Sequence, residues 1–142
     1  MKLVVDSNIL FAFFGKKSTF IELCNKEELE LYTPEYALEE INKYEEEIIE
    51  KAKITKKEFN ERKLILAQRI NFIPLDKYRL HFNAVKYLAK NLIKEEYEEF
   101  LSDIDFLSLA LELKSPLRTH DQLLKKQNRI PILTTKEIIE IL

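Results

Sequence analysis

The sequence predicts an α/β domain in which a parallel sheet is covered by helices on both faces. Short apolar segments, beginning with Leu3–Val5, alternate with longer segments that have helical periodicity. The 142 residues contain no internal repeat or low-complexity linker, and a single glycine and four prolines leave no flexible hinge. We therefore expect one domain spanning residues 1–142 around one hydrophobic core.

Five segments have the pattern of strands. The first, Leu3–Val5, is wholly apolar and ends at Asp6, as expected of a buried strand in a parallel sheet. The residues that follow it, Asp6–Asn8, are predicted to form a loop. The other four predicted strands are Leu29–Tyr32, Ile70–Pro74, Pro116–Thr119 and Ile130–Leu133.

Helix-start residues separate these strands. Thr55 followed by Glu58 has the pattern of a capping box, and Thr33 before Pro34 is typical of a helix start. The region Asp76–Phe100 is predicted to be mostly helical, with breaks that the pattern does not locate. The remaining helices and their predicted caps are Phe20–Cys24 with Ser18 or Thr19, Pro34 to about Lys51, Thr55 to about Arg69, Ile104–Leu113 with Ser102 or Asp103, Gln122–Gln127, and a terminal helix with Thr135.

Composition excludes several classes of protein. With 46% hydrophobic and 34% charged residues, the chain is neither disordered nor membrane-embedded. Asp6 interrupts the N-terminal apolar run, which argues against a signal peptide, so we expect a cytoplasmic protein. Cys24 is the only cysteine and excludes an internal disulfide framework or a thiolate zinc site. Abundant Lys, Glu and Ile without Trp is typical of thermophile proteins.

The charge balance restricts how the chain could bind nucleic acid. The formal net charge is −2, whereas a groove that binds long nucleic acid by charge alone is normally basic. Contacts with an RNA backbone would therefore have to be local or come from a partner.

Two acidic residues follow predicted strands directly. Asp6 ends the first strand and Asp121 follows the fourth. Ligands of open α/β sheets bind outside the carboxyl ends of the strands, so these two carboxylates would share a crevice if their strands are neighbours.

Helical phase selects two further acids. In the helix from Pro34, Glu40 lies at the edge of the apolar stripe, whereas Glu39 faces water. In the helix Ile104–Leu113, Asp103 falls on the apolar side and Asp105 roughly opposite. Each of the acids Asp6, Asp103 and Asp121 could instead be a simple turn or helix cap. All four together indicate a cluster of carboxylates that requires a cation.

Four segments, taken in order, resemble the PIN-domain nucleases, which include the VapC-like toxins of toxin–antitoxin pairs. They are the strand ending in Asp6-Ser7-Asn8, the helix start Thr33 to Glu40, the apolar helix Asp103 to Leu113 and the strand ending in Thr119-His120-Asp121. One departure is His120, where Asn or Arg is more common in the family.

The resemblance implies a three-layer α/β/α fold with a five-stranded parallel sheet of order 3-2-1-4-5. It also implies a metal-dependent endoribonuclease that leaves a 5′-phosphate, often a homodimer, with an antitoxin protein as a partner if the chain is a toxin.

An oxygen-only carboxylate cluster suits Mg²⁺ or Mn²⁺, as one ion or two. We expect Asp6 and Asp103 to be the principal metal ligands, and Asp121 to bind directly or through water. Glu40 would orient or deprotonate the attacking water, or hold a second ion. Supporting hydrogen bonds would come from Ser7, Asn8 and Thr119.

Basic residues near the predicted crevice are candidate contacts for substrate phosphates, although solvated surface lysines are the more common case. These residues are Lys16, Lys17, Lys125 and Lys126.

Other functions remain as alternatives. The main one is a PIN-fold module that binds RNA or assembles with partners and cleaves little. Two other classes are disfavoured. A haloacid-type phosphatase would have a second Asp where Asn8 stands. A phospho-receiver domain would have paired acids early and a lysine after the last strand, whereas here Asp6 stands alone and Lys136 comes only later. A phosphate-binding glycine loop is excluded because Gly15 is the only glycine.

Overall fold

The structure, a computed structural model, describes residues 1–15 and 19–142. Within these residues, five parallel strands form one sheet in the order β3-β2-β1-β4-β5, which confirms the expected topology. The strands are β1 Lys2–Val5, β2 Glu30–Pro34, β3 Ile70–Ile73, β4 Leu117–Arg118 and β5 Ile132–Leu133.

Helices flank this sheet on both sides. The α-helices are α1 Ser7–Phe11, α2 Thr19–Cys24, α3 Tyr36–Lys43, α4 Glu45–Ala52, α5 Lys56–Arg69, α6 Phe82–Leu88, α7 Lys94–Leu101, α8 Ile104–Leu113 and α9 Thr135–Ile141. Short 3-10 helices span Ala12–Phe14, Leu75–Lys77, Arg79–His81 and Gln122–Lys126. In the described part of the chain, no helix is both long enough and apolar enough to cross a membrane.

The core is built on the central strand. Successive residues of β1 point to opposite faces of the sheet, and Leu3, Val4 and Val5 are all fully buried, so both faces are covered. Helix α8 packs against β1, β2 and β4. On another part of the core, the rings of Phe14 and Phe59 stack with their centroids 4.9 Å apart.

The turn after β1 differs from the sequence prediction. Residues Asp6–Asn8 were expected to form a loop, but α1 begins at Ser7. The reason is that Asp6 caps this helix, its Oδ1 accepting a hydrogen bond from the backbone N–H of Ile9 at 3.1 Å.

The predicted helix from Pro34 to Lys51 is wrong in two respects. Pro34 is the last residue of β2, where it pairs with Ile73 of β3, and α3 begins only at Tyr36. The helix also breaks at Tyr44, whose φ of −100° and ψ of 19° depart from helical values. Three consecutive glutamates follow this break in the first turn of α4, where the helix dipole favours negative charge.

The other element boundaries agree in part. The capping box of Thr55 and Glu58 is present at the start of α5, as predicted. The terminal helix also begins with a capping box, but its cap is Thr134 rather than Thr135. The last strand is shorter than predicted, since Ile130 and Pro131 precede β5 instead of belonging to it. The predicted cap Ser18 lies outside the described residues.

Candidate active site

Asp6 lies at the carboxyl end of β1 and is 6% exposed. Besides capping α1 through Oδ1, it accepts a hydrogen bond at Oδ2 from the hydroxyl of Thr119. Burial raises the pKa of Asp6, while the hydrogen bonds from Thr119 and Ile9 and the charges of His120 and Arg118 lower it. Asp6 is thus both a helix cap and a buried carboxylate at the strand end.

Thr119 connects the carboxyl ends of β1 and β4. Its Oγ1 donates to Asp6 and also accepts a hydrogen bond from the backbone N–H of Asp121 at 3.1 Å. Because β1 and β4 are neighbours in the sheet, one buried hydroxyl holds the segments that carry both acids.

Glu40 reaches the same region from α3. Its Oε1 accepts a hydrogen bond from Ser7 Oγ at 2.6 Å. Glu40 is half-buried whereas Glu39 is exposed, as helical phase predicted. Burial raises the pKa of Glu40, the Ser7 hydrogen bond lowers it, and the charges of Asp6 and Asp105 raise it further.

Asp103 occupies the N-cap position of α8, yet its side chain makes no capping hydrogen bond. The carboxyl group instead lies against the carboxyl group of Asp121, where the two can share a proton. Burial, then this contact, and then the charges of Asp6 and Glu40 raise the pKa of Asp103 to about 7. Asp121 itself caps the 3-10 helix Gln122–Lys126 by accepting from the N–H of Leu123 at 2.9 Å.

A small cleft of about 160 Å³ opens beside these acids. Three of the four predicted acids line it directly, and Asp121 adjoins it through its contact with Asp103. The lining includes Asp6, Ser7, Asn8, Tyr36, Glu40 and Asp103.

This cleft lies at the carboxyl end of the central strand, in a fold whose strand order and motifs match one family along almost the whole chain. The sequence profile of the PIN domain matches residues 4–140. The chain belongs to the PIN-domain family.

A solved structure supports the fold assignment. The chain is similar to the crystal structure of VapBC2 from Rickettsia felis bound to a DNA fragment from its promoter, with a TM-score of 0.67 and 18% sequence identity. The similarity covers 94% of this chain and 98% of the matched one. No curated protein matches this PIN domain.

The donor set of this PIN domain fits a hard divalent cation in its chemistry. The side chains that meet at the strand ends offer carboxylate and hydroxyl oxygens, which Mg²⁺ and Mn²⁺ prefer. Within residues 1–15 and 19–142, however, no group of three or more His, Cys, Asp or Glu side chains has the spacing of a preformed metal site. The carboxylates would therefore have to adjust their rotamers on binding.

Two residues at the site were not singled out by the sequence. Tyr36, 42% exposed, lies at the cleft one helical turn before Glu40, a spacing that could have indicated it. Asp105 was expected to face water but is half-buried and accepts a hydrogen bond from Tyr78 Oη at 2.5 Å. Tyr78 belongs to the region predicted to be mostly helical with breaks that the pattern did not locate, so the sequence did not predict its contact with Asp105.

The predicted basic contacts divide into two groups. Lys16 and Lys17 lie outside the described residues. Lys125 and Lys126 end the 3-10 helix that Asp121 begins, and both are exposed. Lys126 forms an ion pair with Glu96 of α7.

Proposed function

We propose that this PIN domain is a metal-dependent endoribonuclease that hydrolyses RNA phosphodiester bonds at the cleft beside Asp6, Glu40 and Asp103. The orientation of Asp103 carries the proposal. At the N-cap position of α8 its carboxyl group could bond the free N–H groups of its own helix, but it contacts the Asp121 carboxyl instead. Two adjoining carboxyls near two further acids favour cation binding over a purely structural role.

The acids Asp6, Asp103 and Asp121 would hold the Mg²⁺ or Mn²⁺, with Glu40 as a further ligand if a second ion binds. The ion would neutralise charge on the phosphoryl oxygens and acidify a bound water.

Glu40 is suited to accept the proton of the attacking water. Ser7 occupies Oε1 and thereby fixes the carboxylate, which leaves Oε2 for the proton. The raised pKa of Glu40 makes it a stronger base than an exposed glutamate. As the bond from water oxygen to phosphorus forms, the bond from phosphorus to the 3′ oxygen breaks. The 3′ oxygen takes a proton from solvent, and the product carries a 5′-phosphate.

Neighbouring glutamates on α3 provide a matched test of this assignment. Glu40→Gln should reduce the rate of RNA cleavage by about 100-fold or more, the usual contribution of a general base. Glu39→Gln removes the same charge one residue away, at an exposed position, and should cleave normally. The measurement is the initial rate on a quenched fluorescent single-stranded RNA in Mn²⁺. Equal rates for the two variants would remove Glu40 from the mechanism.

A second groove supports a toxin role. It has a volume of about 390 Å³, adjoins the cleft through Asn8 and includes the apolar residues Phe11 and Ile48. Such a groove suits an apolar segment of an antitoxin. Co-expression with the product of an adjacent gene should yield a stable complex with suppressed cleavage. A nuclease that no neighbouring gene product inhibits would be a housekeeping enzyme.

The homodimer expected for this family is also a proposal. Light scattering of the purified chain at micromolar concentration should give twice the 17.0 kDa mass of the chain. A monomeric mass at all concentrations would contradict it. An RNA-binding or assembly module that cleaves little is the alternative function, and it would bind RNA and metal without turnover.

A further inference from the structure

A second polar pocket, with a volume of about 300 Å³, lies at the far end of the 3-10 helix that Asp121 begins. The residues that end or follow α6 form one wall, and the residues that end or follow the 3-10 helix form the other. Those that the argument uses are Tyr87, Lys90, Asn91, Lys126, Gln127 and Asn128.

Tyr87 presents an aromatic ring to solvent in this pocket. The residue is 65% exposed, so much of the ring surface is open to solvent. Lys90 Nζ lies 3.8 Å from the ring centroid and donates to the Tyr87 hydroxyl at 2.6 Å. The ring is therefore held in place by a cation, and its exposure leaves surface on which a planar group can stack.

The surrounding groups can bond both phosphate and base. The amide of Gln127 is already used, because it bonds the backbone of Leu124 and Ile130 and so fixes this wall. Asn91 and Asn128 are exposed, and their side chains make no hydrogen bond to the described residues. An amide offers both donor and acceptor, which suits the edge of an unpaired base.

The charge of the pocket favours an anionic ligand. Its lining contains Lys90 and Lys126 and no carboxylate. Lys126 is paired with Glu96, but this is a surface ion pair, with the two side chains 52% and 28% exposed. Such pairs contribute little to stability, so a phosphate can compete for the lysine. In a chain with a net charge of −2, a local basic surface is where a polyanion would bind.

The length of the 3-10 helix between Asp121 and the pocket suits one continuous RNA strand. The 3-10 helix runs from the residue after Asp121 to Lys126, which is about 10 Å at 2 Å per residue. A stacked strand advances about 3.4 Å per nucleotide, so about three nucleotides would span this distance.

From these observations we infer that the surface formed by Tyr87, Lys90, Asn91, Lys126 and Asn128, here named the Tyr87 platform, binds an unpaired nucleotide of the substrate RNA. The base stacks on Tyr87, the lysines contact the flanking phosphates, and the strand continues towards the cleft. This inference rests on the proposed nuclease function and adds to it a substrate contact outside the cleft.

The test measures binding separately from cleavage. All variants are made with Asp103→Asn, so that a fluorescein-labelled 12-nucleotide unpaired RNA stays intact in Mg²⁺ while its anisotropy is recorded. Tyr87→Ala should weaken binding by about fivefold or more, since stacking on an aromatic side chain contributes at least that much. Tyr87→Phe keeps the ring and should bind nearly as well as Tyr87.

Charge controls separate the platform from general electrostatic attraction. Lys90→Ala should weaken binding and lower the salt dependence by about one phosphate contact. Lys57→Ala removes an equal charge from an exposed position on α5 and should leave the affinity nearly unchanged. Relative to Asp103→Asn alone, thermal unfolding should be unchanged in each variant, because Tyr87, Lys90 and Lys57 are exposed.

Unchanged affinity of Tyr87→Ala, or equal losses for Lys57→Ala and Lys90→Ala, would overturn the inference. Duplex RNA offers no unstacked base. The inference would therefore also be overturned if Tyr87→Ala weakened the binding of duplex RNA as much as the binding of unpaired RNA. Cleavage by the chain with Asp103 intact is assayed in parallel. Metal-dependent cleavage with Tyr87-independent binding would refute the platform alone. Tyr87-dependent binding without any cleavage would support the platform and refute the nuclease proposal.

Discussion

At the scale of single residues, the site places acidic groups where they destabilise the protein without a cation. Asp103 and Asp121 adjoin each other, and the charges of Asp6 and Glu40 add to the effect. Stability is commonly lower at functional sites for this reason. Two of the acids are nevertheless held by specific hydroxyl donors, namely Ser7 for Glu40 and Thr119 for Asp6.

The raised pKa of Asp103 predicts that the metal-free protein loses stability as the pH rises. In the folded state the pKa is about 7, against 3.8 in the unfolded chain, so the folded state binds the proton more tightly. The contribution to the free energy of unfolding is fully present below pH 3.8 and is lost as the pH passes through about 7.

Urea denaturation in EDTA at pH 5 and pH 8 should show this loss in the wild type and a smaller loss in Asp103→Asn. At pH 8 the variant should be the more stable of the two by on the order of 1 kcal/mol, a value reduced because the group is partly solvated. The prediction fails if both proteins change equally with pH.

Thr119 should be needed for both stability and cleavage, since its hydroxyl bonds Asp6 and the backbone of Asp121. Thr119→Val keeps the shape but leaves the half-buried N–H of Asp121 and the Oδ2 atom of the buried Asp6 without this partner, at a cost of about 1–3 kcal/mol. Thr119→Ser retains the hydroxyl and is the control. Chemical denaturation and the rate of RNA cleavage would be measured for both variants. Equal stability and equal cleavage rates of Thr119→Val and Thr119→Ser would show that the hydroxyl is unimportant.

At the scale of elements, the sequence predicted those helix boundaries that are set by interactions between residues close together in the chain. The capping box at Thr55 was predicted because its two hydrogen bonds join residues three apart. The break at Tyr44 was missed because both sides of it have good helix formers. The start of α9 was misplaced by one residue because Thr134 and Thr135 are equivalent as isolated caps, and only Thr134 has Glu137 three residues later.

Removing the cap of α5 should affect stability but not chemistry. Thr55→Ala loses the hydrogen bond to the N–H of Glu58, which is worth about 1 kcal/mol. The helix buries Phe59 and Leu66 in the core, so its loss of stability should appear in global unfolding. Lys57→Ala in the same turn is the control, and the cleavage rate should be normal in both variants. Unfolding of Thr55→Ala at the wild-type denaturant concentration would contradict the predicted role of the cap.

At the scale of the whole molecule, strand order brings the acids together. Asp6 and Asp121 are 115 residues apart in sequence, and they adjoin the same site because β1 lies between β2 and β4. Periodicity can identify a buried strand but not its neighbours, so the order 3-2-1-4-5 was available only through the family resemblance. Periodicity also failed to place Tyr78 and Tyr87. Both lie in the region 76–100, where mixed 3-10 and α-helical turns give no single period.

The most direct test of the central claim is cleavage of a quenched single-stranded RNA by wild type and Asp6→Asn, with Mn²⁺ or Mg²⁺ and with EDTA. The proposed mechanism predicts cleavage only by the wild type and only with the metal ion, and products with a 5′-phosphate. Cleavage that persists in EDTA, or that Asp6→Asn performs at the wild-type rate, would contradict a nuclease mechanism based on these carboxylates.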